Sequence, residues 1–237
     1  MASTWRFEER AGDAASLHLG WPSVEADPTT RAVSVCTVTA PALVLGSTQP
    51  DAAVDGDRAA GRGISVVRRR SGGGAVLVTA ADPVWIDAWL PAGDPLWSDD
   101  VGRAFDWLGD TWVEALTRVG IRGLSAHGQG YQACTPWSAT VCFGGVGSGE
   151  VVTGDGRKVV GLAQRRSRNG AWFHGACFIR WDPAPLVELL AWPALERARA
   201  IAGLQAAAAG VADLAGEAGR PAPDAGGVVG ALIGALP

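Results

Sequence analysis

The chain has 237 residues, of which 48% are hydrophobic and 19% charged, as is typical of a globular domain that buries a sizeable core. Its formal net charge of -4 gives no reason to expect a nucleic-acid partner, and no run of about 18 apolar residues predicts a membrane span. Residues 1–15 carry mixed charge and lack the apolar run of a signal peptide, so a cytoplasmic location is expected.

The first half of the chain is rich in strand patterns. Alternating or continuous apolar runs predict strands over 31–38, 42–46, 64–68, 75–79 and 83–90. A helix is then expected to begin at Ser98, a good N-cap residue followed by two acids, and to end at Gly120. Its apolar positions recur at helical spacing, so one face should pack on the sheet.

The second half continues with strands and closes with helices. Strands are predicted over 138–143, 150–153, 158–164 and 172–180, and helices up to residue 190 and over 194–209. This order indicates an α+β (α/β) fold, with a mixed or antiparallel sheet and packed helices. Residues 1–209 would form the catalytic domain, and the Ala/Gly-rich residues 210–237 a flexible tail.

The densest chemical signal is a basic segment that runs into three glycines. It comprises Arg68, Arg69 and Arg70, then Ser71, Gly72, Gly73, Gly74 and Ala75. Backbone N–H groups of consecutive glycines can form a concavity for an anion, and guanidinium groups would add charge. A flexible glycine-rich hairpin with a solvated start explains the pattern equally well. Neither a Walker loop nor a dinucleotide fingerprint is present.

Lys158 is the second signal. It is the only lysine beside 19 arginines, in a composition that suggests arginine serves wherever either charge suffices. An Asp155-Gly156 turn predicts Lys158 at the start of a strand, and Gly161 in that strand indicates close approach of a ligand or another backbone. An accidental lysine on a solvated loop is the alternative.

Four cysteines are present, namely Cys36, Cys134, Cys142 and Cys177, without a CxxC pair, and three scattered histidines. This spacing predicts no metal site. In a reducing compartment each thiol would be free, either as a small core residue or as a nucleophile.

Together these segments resemble the lipoate–protein ligase family, whose motifs they follow in order over roughly residues 42–190. The matching segments are Arg-Arg-x-Ser-Gly-Gly-Gly-Ala-Val, then Arg-Lys-x-x-Gly-x-Ala, then His-Gly, with an upstream Gly-x-x-Gln ending at Gln49. The resemblance implies the sheet fold shared with biotin–protein ligases. It also implies transfer of a lipoyl or octanoyl group to a specific lysine of a lipoyl carrier domain through an acyl-adenylate, with ATP and Mg²⁺.

The same resemblance assigns the site. Lys158 would be catalytic and contact the acyl carbonyl and phosphate, and its loss should abolish transfer while leaving the fold intact. Binding of substrate or adenylate would fall to the family's other motif positions: Gln49, Arg68, Arg69, Ser71, Gly72, Gly73, Gly74, Ala75, Gly161, Ala163 and His174. The expected acceptor is a 2-oxoacid dehydrogenase E2 or a glycine cleavage H protein, with no nucleic acid or membrane partner.

Two alternatives remain open. A branch of the superfamily moves octanoyl from acyl carrier protein through a cysteine thioester without ATP, and Cys142, 16 residues before Lys158, resembles its nucleophile region. The family's His-Asp after the glycines is replaced here by Val78-Thr79, and its small residue before Ala163 by Leu162. A non-catalytic acyl-binding protein is therefore the second alternative.

Overall fold

The computed structural model describes residues 4–237, so the first three residues of the N-terminal stretch considered above lie outside it. The strands in chain order are β1 Arg6–Gly12, β2 Ala32–Val38, β3 Ala42–Leu45, β4 Ser65–Arg68, β5 Val76–Val78, β6 Val84–Pro91, β7 Leu124–Ala126, β8 Gln132–Ala133, β9 Gly145–Val146, β10 Val151–Thr153, β11 Lys158–Ser167 and β12 Gly170–Cys177. The helices are α1 Ala14–Leu19, α2 Pro22–Ala26, α3 Gly56–Gly61, α4 Asp106–Arg118, α5 Ala184–Val187, α6 Ala194–Ala207, α7 Val211–Glu217 and α8 Ala225–Ala235.

A seven-stranded sheet in the order β1-β2-β6-β12-β11-β10-β7 forms the centre of the molecule. β1 and β2 are parallel and the remaining pairs antiparallel. A smaller sheet, β4-β3-β5, contains both pairings, and β8 pairs with β9. The predicted mixed sheet with packed helices is confirmed.

The main core lies between one face of the large sheet and helices α4 and α8. Leu108, Trp112 and Leu116 of α4 are buried there against strand residues such as Ile86 and Phe173. This spacing puts the three α4 side chains on one helix face, as the sequence predicts. The opposite face of the sheet packs against α1, α2 and the smaller sheet.

The helix expected from Ser98 begins later than predicted. A short 3₁₀ turn spans Arg103–Phe105, and α4 starts at Asp106. The Asp100 carboxylate accepts the backbone N–H groups of Gly102 (2.8 Å) and Arg103 (3.1 Å), so Asp100 rather than Ser98 caps this segment. No helix of residues 4–237 has the length and apolar character needed to cross a bilayer.

The prediction of a flexible tail after residue 210 is wrong. Residues 211–217 and 225–235 are helical, and Val211, Val228 and Leu232 are fully buried in the main core. The Asp224 carboxylate caps α8 by accepting the Gly227 N–H at 2.7 Å. Small residues give this segment little contrast between polar and apolar faces, which is why its helices are hard to recognise in the sequence.

The predicted strand over 138–143 is also wrong. Val141 forms one isolated bridge with Ala75, and Cys142–Gly144 is a 3₁₀ turn. Just upstream, the Ser138 hydroxyl donates to the Thr135 carbonyl (2.6 Å) and accepts the Thr135 N–H (2.9 Å). Such local side-chain bonds hold the backbone in a turn and compete with strand pairing.

Candidate active site

A cavity of about 510 Å³ lies over the face of the large sheet opposite α4 and α8, between β11, β12 and the glycine-rich loop. Of the predicted site residues, nine line it: Gln49, Arg69, Gly72, Gly73, Gly74, Cys142, Lys158, Gly161 and Ala163, with His174 as a tenth at β12. A cavity of this size suits a small-molecule or acyl substrate. The sequence motifs, although far apart in the chain, therefore converge on one site.

Lys158 is buried at the first residue of β11, with 2% of its side chain exposed. Its ammonium donates to the Cys142 carbonyl (2.8 Å) and the Gly145 carbonyl (3.1 Å), and its Nζ lies 2.7 Å from the Glu150 carboxylate. These three acceptors match the three N–H groups of an ammonium. Lys158 is thus no accidental surface lysine: it fixes the turn that carries Cys142.

Glu150 completes this ion pair and was missed in the sequence. Its carboxylate also accepts the N–H groups of Gly147 (2.7 Å) and Leu162 (2.9 Å), so both oxygens are engaged although the side chain is only 7% exposed. Burial by itself would lower the pKa of Lys158. Attraction to the Cys142 sulfur and the Glu150 carboxylate outweighs it and raises that pKa, so the ammonium stays charged.

Gly161 lies tightly against the Lys158 and Phe143 side chains. A Cβ at Gly161 would lie 3.3 Å from Cε of Lys158 and 3.2 Å from the ring of Phe143. The same ring centroid is 5.0 Å from the ammonium, a cation–π contact. The glycine within β11 therefore makes room for the lysine itself, not only for a ligand.

Cys142 is the cysteine that lines the cavity, and its Sγ is 4.0 Å from Nζ of Lys158. Burial raises the pKa of Cys177, with Asp82 adding to the effect, and that of Cys36, so both thiols stay protonated in the core. Cys134 is exposed and lies outside the cavity lining. Geometry thus selects Cys142 as the candidate nucleophile.

The glycine-rich loop holds the Cys142 segment in place. Gly73 has a φ of +98°, and a Cβ on Gly74 would lie 2.6 Å from the Cys142 backbone nitrogen. The Cys142 N–H donates to the Ala75 carbonyl at 3.0 Å. At least the third glycine is therefore needed for contact between two chain segments, whereas a Cβ on Gly72 would meet open space.

Arg68 and Arg69 of this loop bind protein carbonyls, whereas Arg70 is exposed. The Arg69 guanidinium donates to the carbonyls of Gly72 (2.7 Å) and Gly74 (2.9 Å). Arg68 donates to the carbonyls of Gly46 (2.8 Å) and Gln49 (2.5 Å) and lies outside the cavity lining. Both side chains stabilise loop geometry and have few donors left for an anion.

Of three further predicted residues, Gln49 lines the cavity, whereas Ser71 and Ala75 do not. The Gln49 side chain lines the cavity, accepts the Gly46 N–H and donates to the Thr140 carbonyl, both at 2.9 Å. Ser71 and Ala75 are buried outside the cavity lining, and the Ser71 carbonyl accepts the Ser47 N–H. These residues support the loop from behind.

A second polar group lies on β6 and β12. Asp87, fully buried, accepts Nδ1 of His174 (2.6 Å), the Trp85 indole N–H (2.7 Å) and the Arg10 guanidinium (3.1 Å). His18 of α1 stacks on Trp85 with ring centroids 4.4 Å apart and also lines the cavity. The sequence suggested only His174. Asp87 could have been noticed as a single acid inside the apolar run 83–90.

The fold of this chain is similar to that of solved lipoate–protein ligase structures. A bipartite lipoate protein ligase from Thermoplasma acidophilum superposes with a TM-score of 0.71 at 18% identity, over 97% of this chain and 82% of that one; that structure is described with its E2 lipoyl domain. A lipoate-protein ligase A bound with ATP gives 0.71 at 16% identity, over 99% and 84%. These identities establish the fold alone, which confirms the fold that the resemblance implied.

Sequence comparison then identifies the family. Residues 24–230 match the lipoyl protein ligase A/B catalytic domain, and the chain belongs to that family of protein-lipoylation enzymes. Octanoyltransferase LipM of Kyrpidia tusciae is 30% identical over 142 residues, which are 59% of this chain. The match spans 51% of that relative, so the chain aligns with about half of its length.

Proposed function

We propose that this chain transfers an octanoyl-type acyl group from a thioester donor, through Cys142, to a lysine of a lipoyl carrier domain. The observation that carries the proposal is the position of Cys142, in the cavity wall with its sulfur 4.0 Å from the Lys158 ammonium. A thiolate is the nucleophilic form of cysteine, and a fixed positive charge beside it stabilises that form.

The first step forms a thioester on Cys142. The thiolate attacks the donor's carbonyl carbon, the new C–S bond forms, and the donor's own thiolate leaves. In the second step the neutral amine of the carrier lysine attacks this thioester. The amide bond forms, the Cys142 sulfur leaves, and it takes up the proton that the amine releases. No oxidant, reductant or nucleotide enters the balance.

Lys158 acts in this scheme by position and charge. Its three N–H groups are engaged by Glu150 and two carbonyls, so it fixes the Cys142 backbone and supplies a field at the sulfur. Gly73, Gly74 and Gln49 hold the facing segment, and the reacting carbonyl would lie between that loop and Cys142. Orientation of two reactants supplies much of the rate.

A second candidate is the acyl-adenylate ligase, which would use ATP and Mg²⁺ with lipoate or octanoate. The unbroken Gly72–Gly73–Gly74 triplet favours it. Against it stand the arginine donors already used by carbonyls and the apolar Val78, which occupies a family histidine position and lines the cavity. The proposed acceptor is a lipoyl domain of the E2 or H protein type, and acyl carrier protein is the proposed donor in a cytoplasmic setting.

The test is mass-spectrometric detection of acyl transfer to a purified lipoyl domain. One arm supplies octanoyl–acyl carrier protein, and the other octanoate with ATP and Mg²⁺. We expect labelling in the thioester arm, and a loss on the order of 10⁴-fold or more in Cys142→Ala. Cys134→Ala, at an exposed cysteine outside the cavity, is the matched control and should retain full activity.

Labelling only with ATP, undiminished in Cys142→Ala, would replace the proposal by the ligase. Absence of labelling in both arms, with octanoate still bound, would identify a non-catalytic acyl-binding protein.

A further inference from the structure

The cavity has a second polar wall, formed by His18 and His174, on the other side from Cys142. Gly161, beneath Lys158, pairs with Ala176 of β12, and Ala176 pairs with Trp85 of β6. Trp85 is therefore two strands from Gly161, roughly 10 Å at a spacing of about 4.8 Å per strand. An acyl chain attached at Cys142 and lying across this sheet face would point towards the two imidazoles.

His18 carries a hydrogen-bonding group without a partner. Its ring is sandwiched between Trp85 (centroids 4.4 Å apart) and the edge of His174 (5.1 Å), and only 7% of the residue is exposed. Its Nδ1 is buried and meets no hydrogen-bond partner among residues 4–237. That nitrogen is closed to the cavity as well as to protein partners, so Nε2 is the ring nitrogen of this cavity-lining residue that a ligand can reach.

His174 is held in one orientation. Its Nδ1 contacts the Asp87 carboxylate at 2.6 Å, and Asp87 is fixed in turn by the Trp85 indole and Arg10. Nε2 is then the ring nitrogen that Asp87 leaves free, and the residue lines the cavity. A carboxylate behind one ring nitrogen fixes the tautomer and directs the other nitrogen towards a ligand.

His18 contributes an uncharged group to this wall. Burial lowers the pKa of His18 to about 3, and the nearby His174, Arg69 and Arg10 add to the effect while Asp87 opposes it. His18 is therefore an uncharged imidazole at neutral pH, with one donor and one acceptor nitrogen. Arg10 and Asp87 neutralise each other behind the wall, 3.1 Å apart.

We infer that this imidazole wall is a subsite that selects acyl chains carrying a neutral hydrogen-bonding substituent, such as a hydroxyl group, near the distal end. The inference rests on the proposed function in one respect, namely that the acyl carbonyl lies at Cys142. A plain alkyl chain would leave the imidazole nitrogens unpaired, and sites built to bond a hydroxyl group discriminate strongly against analogues that lack it.

The test measures binding without turnover, by calorimetric titration of wild-type protein with two pantetheine amides. One carries an octanoyl chain and the other an 8-hydroxyoctanoyl chain; the amide bond replaces the donor thioester and cannot transfer. We expect the hydroxylated chain to bind about tenfold tighter or more. In His18→Phe, which keeps the stacking on Trp85, the preference should vanish or reverse.

Two further variants make the result specific. His18→Gln keeps a donor and an acceptor and should retain part of the preference. Leu19→Ala changes an exposed neighbour on the same helix and should retain all of it. Equal affinity of wild type for both chains, tighter binding of the plain chain, or binding of neither would overturn the subsite. A failed carrier assay with the binding preference intact would instead count against the proposed function alone.

Discussion

The two polar ends of the cavity use buried ionisable groups in opposite ways. At the Cys142 end, the Lys158 ammonium meets three acceptors, and both oxygens of Glu150 are engaged. At the other end, the Asp87–His174 contact fixes one ring, yet Nδ1 of His18 has no partner within residues 4–237. One end is complete without a ligand, and the other is not.

This difference separates positioning residues from recognition residues. A saturated buried ion pair holds a chain segment in one geometry, and removal of either partner leaves an uncompensated charge. An imidazole in the cavity wall instead presents a ring nitrogen that a ligand can bond. Lys158 and Glu150 should therefore be sensitive in stability as well as in activity, whereas His18 should affect chain preference.

The largest stability effect is expected from Lys158→Met. This change leaves the Glu150 carboxylate buried without its cation, at a cost of about 3–5 kcal/mol in the free energy of unfolding. We therefore expect loss of Lys158 to destabilise the fold, whereas the sequence analysis expected the fold to stay intact. Chemical denaturation followed by tryptophan fluorescence measures the change.

The double variant Lys158→Met/Glu150→Gln separates the two roles of the pair. It should recover part of the lost stability, because no buried charge remains although the glutamine NH₂ then faces one of the two backbone N–H groups that Glu150 accepts. Transfer should stay abolished. A double variant that regained activity together with stability would show that Lys158 has only a structural role.

An intermediate effect is expected in the glycine loop, where two neighbours give a matched comparison. Gly74→Ala places a Cβ 2.6 Å from the Cys142 nitrogen and should cost about 1–3 kcal/mol and displace the nucleophile. Gly72→Ala meets open space and should stay within about 0.5 kcal/mol. Chemical denaturation measures the stability of both variants, and the transfer assay measures their activity. A severe loss of transfer in a stable Gly72→Ala variant would point to direct ligand contact by this glycine.

The smallest effect concerns the pH dependence of stability through His18. The folded-state pKa is lowered from 6.5 to about 3, so between these values the unfolded chain binds a proton that the folded chain does not. Stability therefore falls as pH drops below 6.5, by about 2 kcal/mol at pH 5 from this group. Unfolding at pH 7 and pH 5 should show a shallower loss in His18→Phe; an identical loss would refute the assignment.

The sequence predicts part of the Cys142 end of the cavity because some of its signals are local. A turn dipeptide predicts Lys158 at a strand start, which the structure confirms. Gly161 was expected to approach a ligand or another backbone, and the structure places the Lys158 and Phe143 side chains beside it. Glu150 escaped because an acid after a glycine-rich loop is commonly solvated, and only the tertiary fold brings it to 2.7 Å from Lys158.

The imidazole end was harder to predict because, as for Glu150, only the tertiary fold brings its residues together. His18, Asp87 and His174 come from three separate elements, and sheet register alone aligns Asp87 with His174. Cys142 was expected on a strand, whereas hydroxyl groups in the preceding residues fold that segment into turns. Pairings of distant residues and side-chain bonds to the local backbone leave weak traces in apolar periodicity.

The most direct test of the central claim is the intact mass of the protein after brief exposure to octanoyl–acyl carrier protein, without any acceptor domain. An octanoyl adduct on wild type that peptide mapping places on Cys142, that is absent from Cys142→Ala and present in Cys134→Ala, is the predicted result. A protein that labels a lipoyl domain from the thioester but never carries the acyl group itself, or carries it on another residue, would contradict the account.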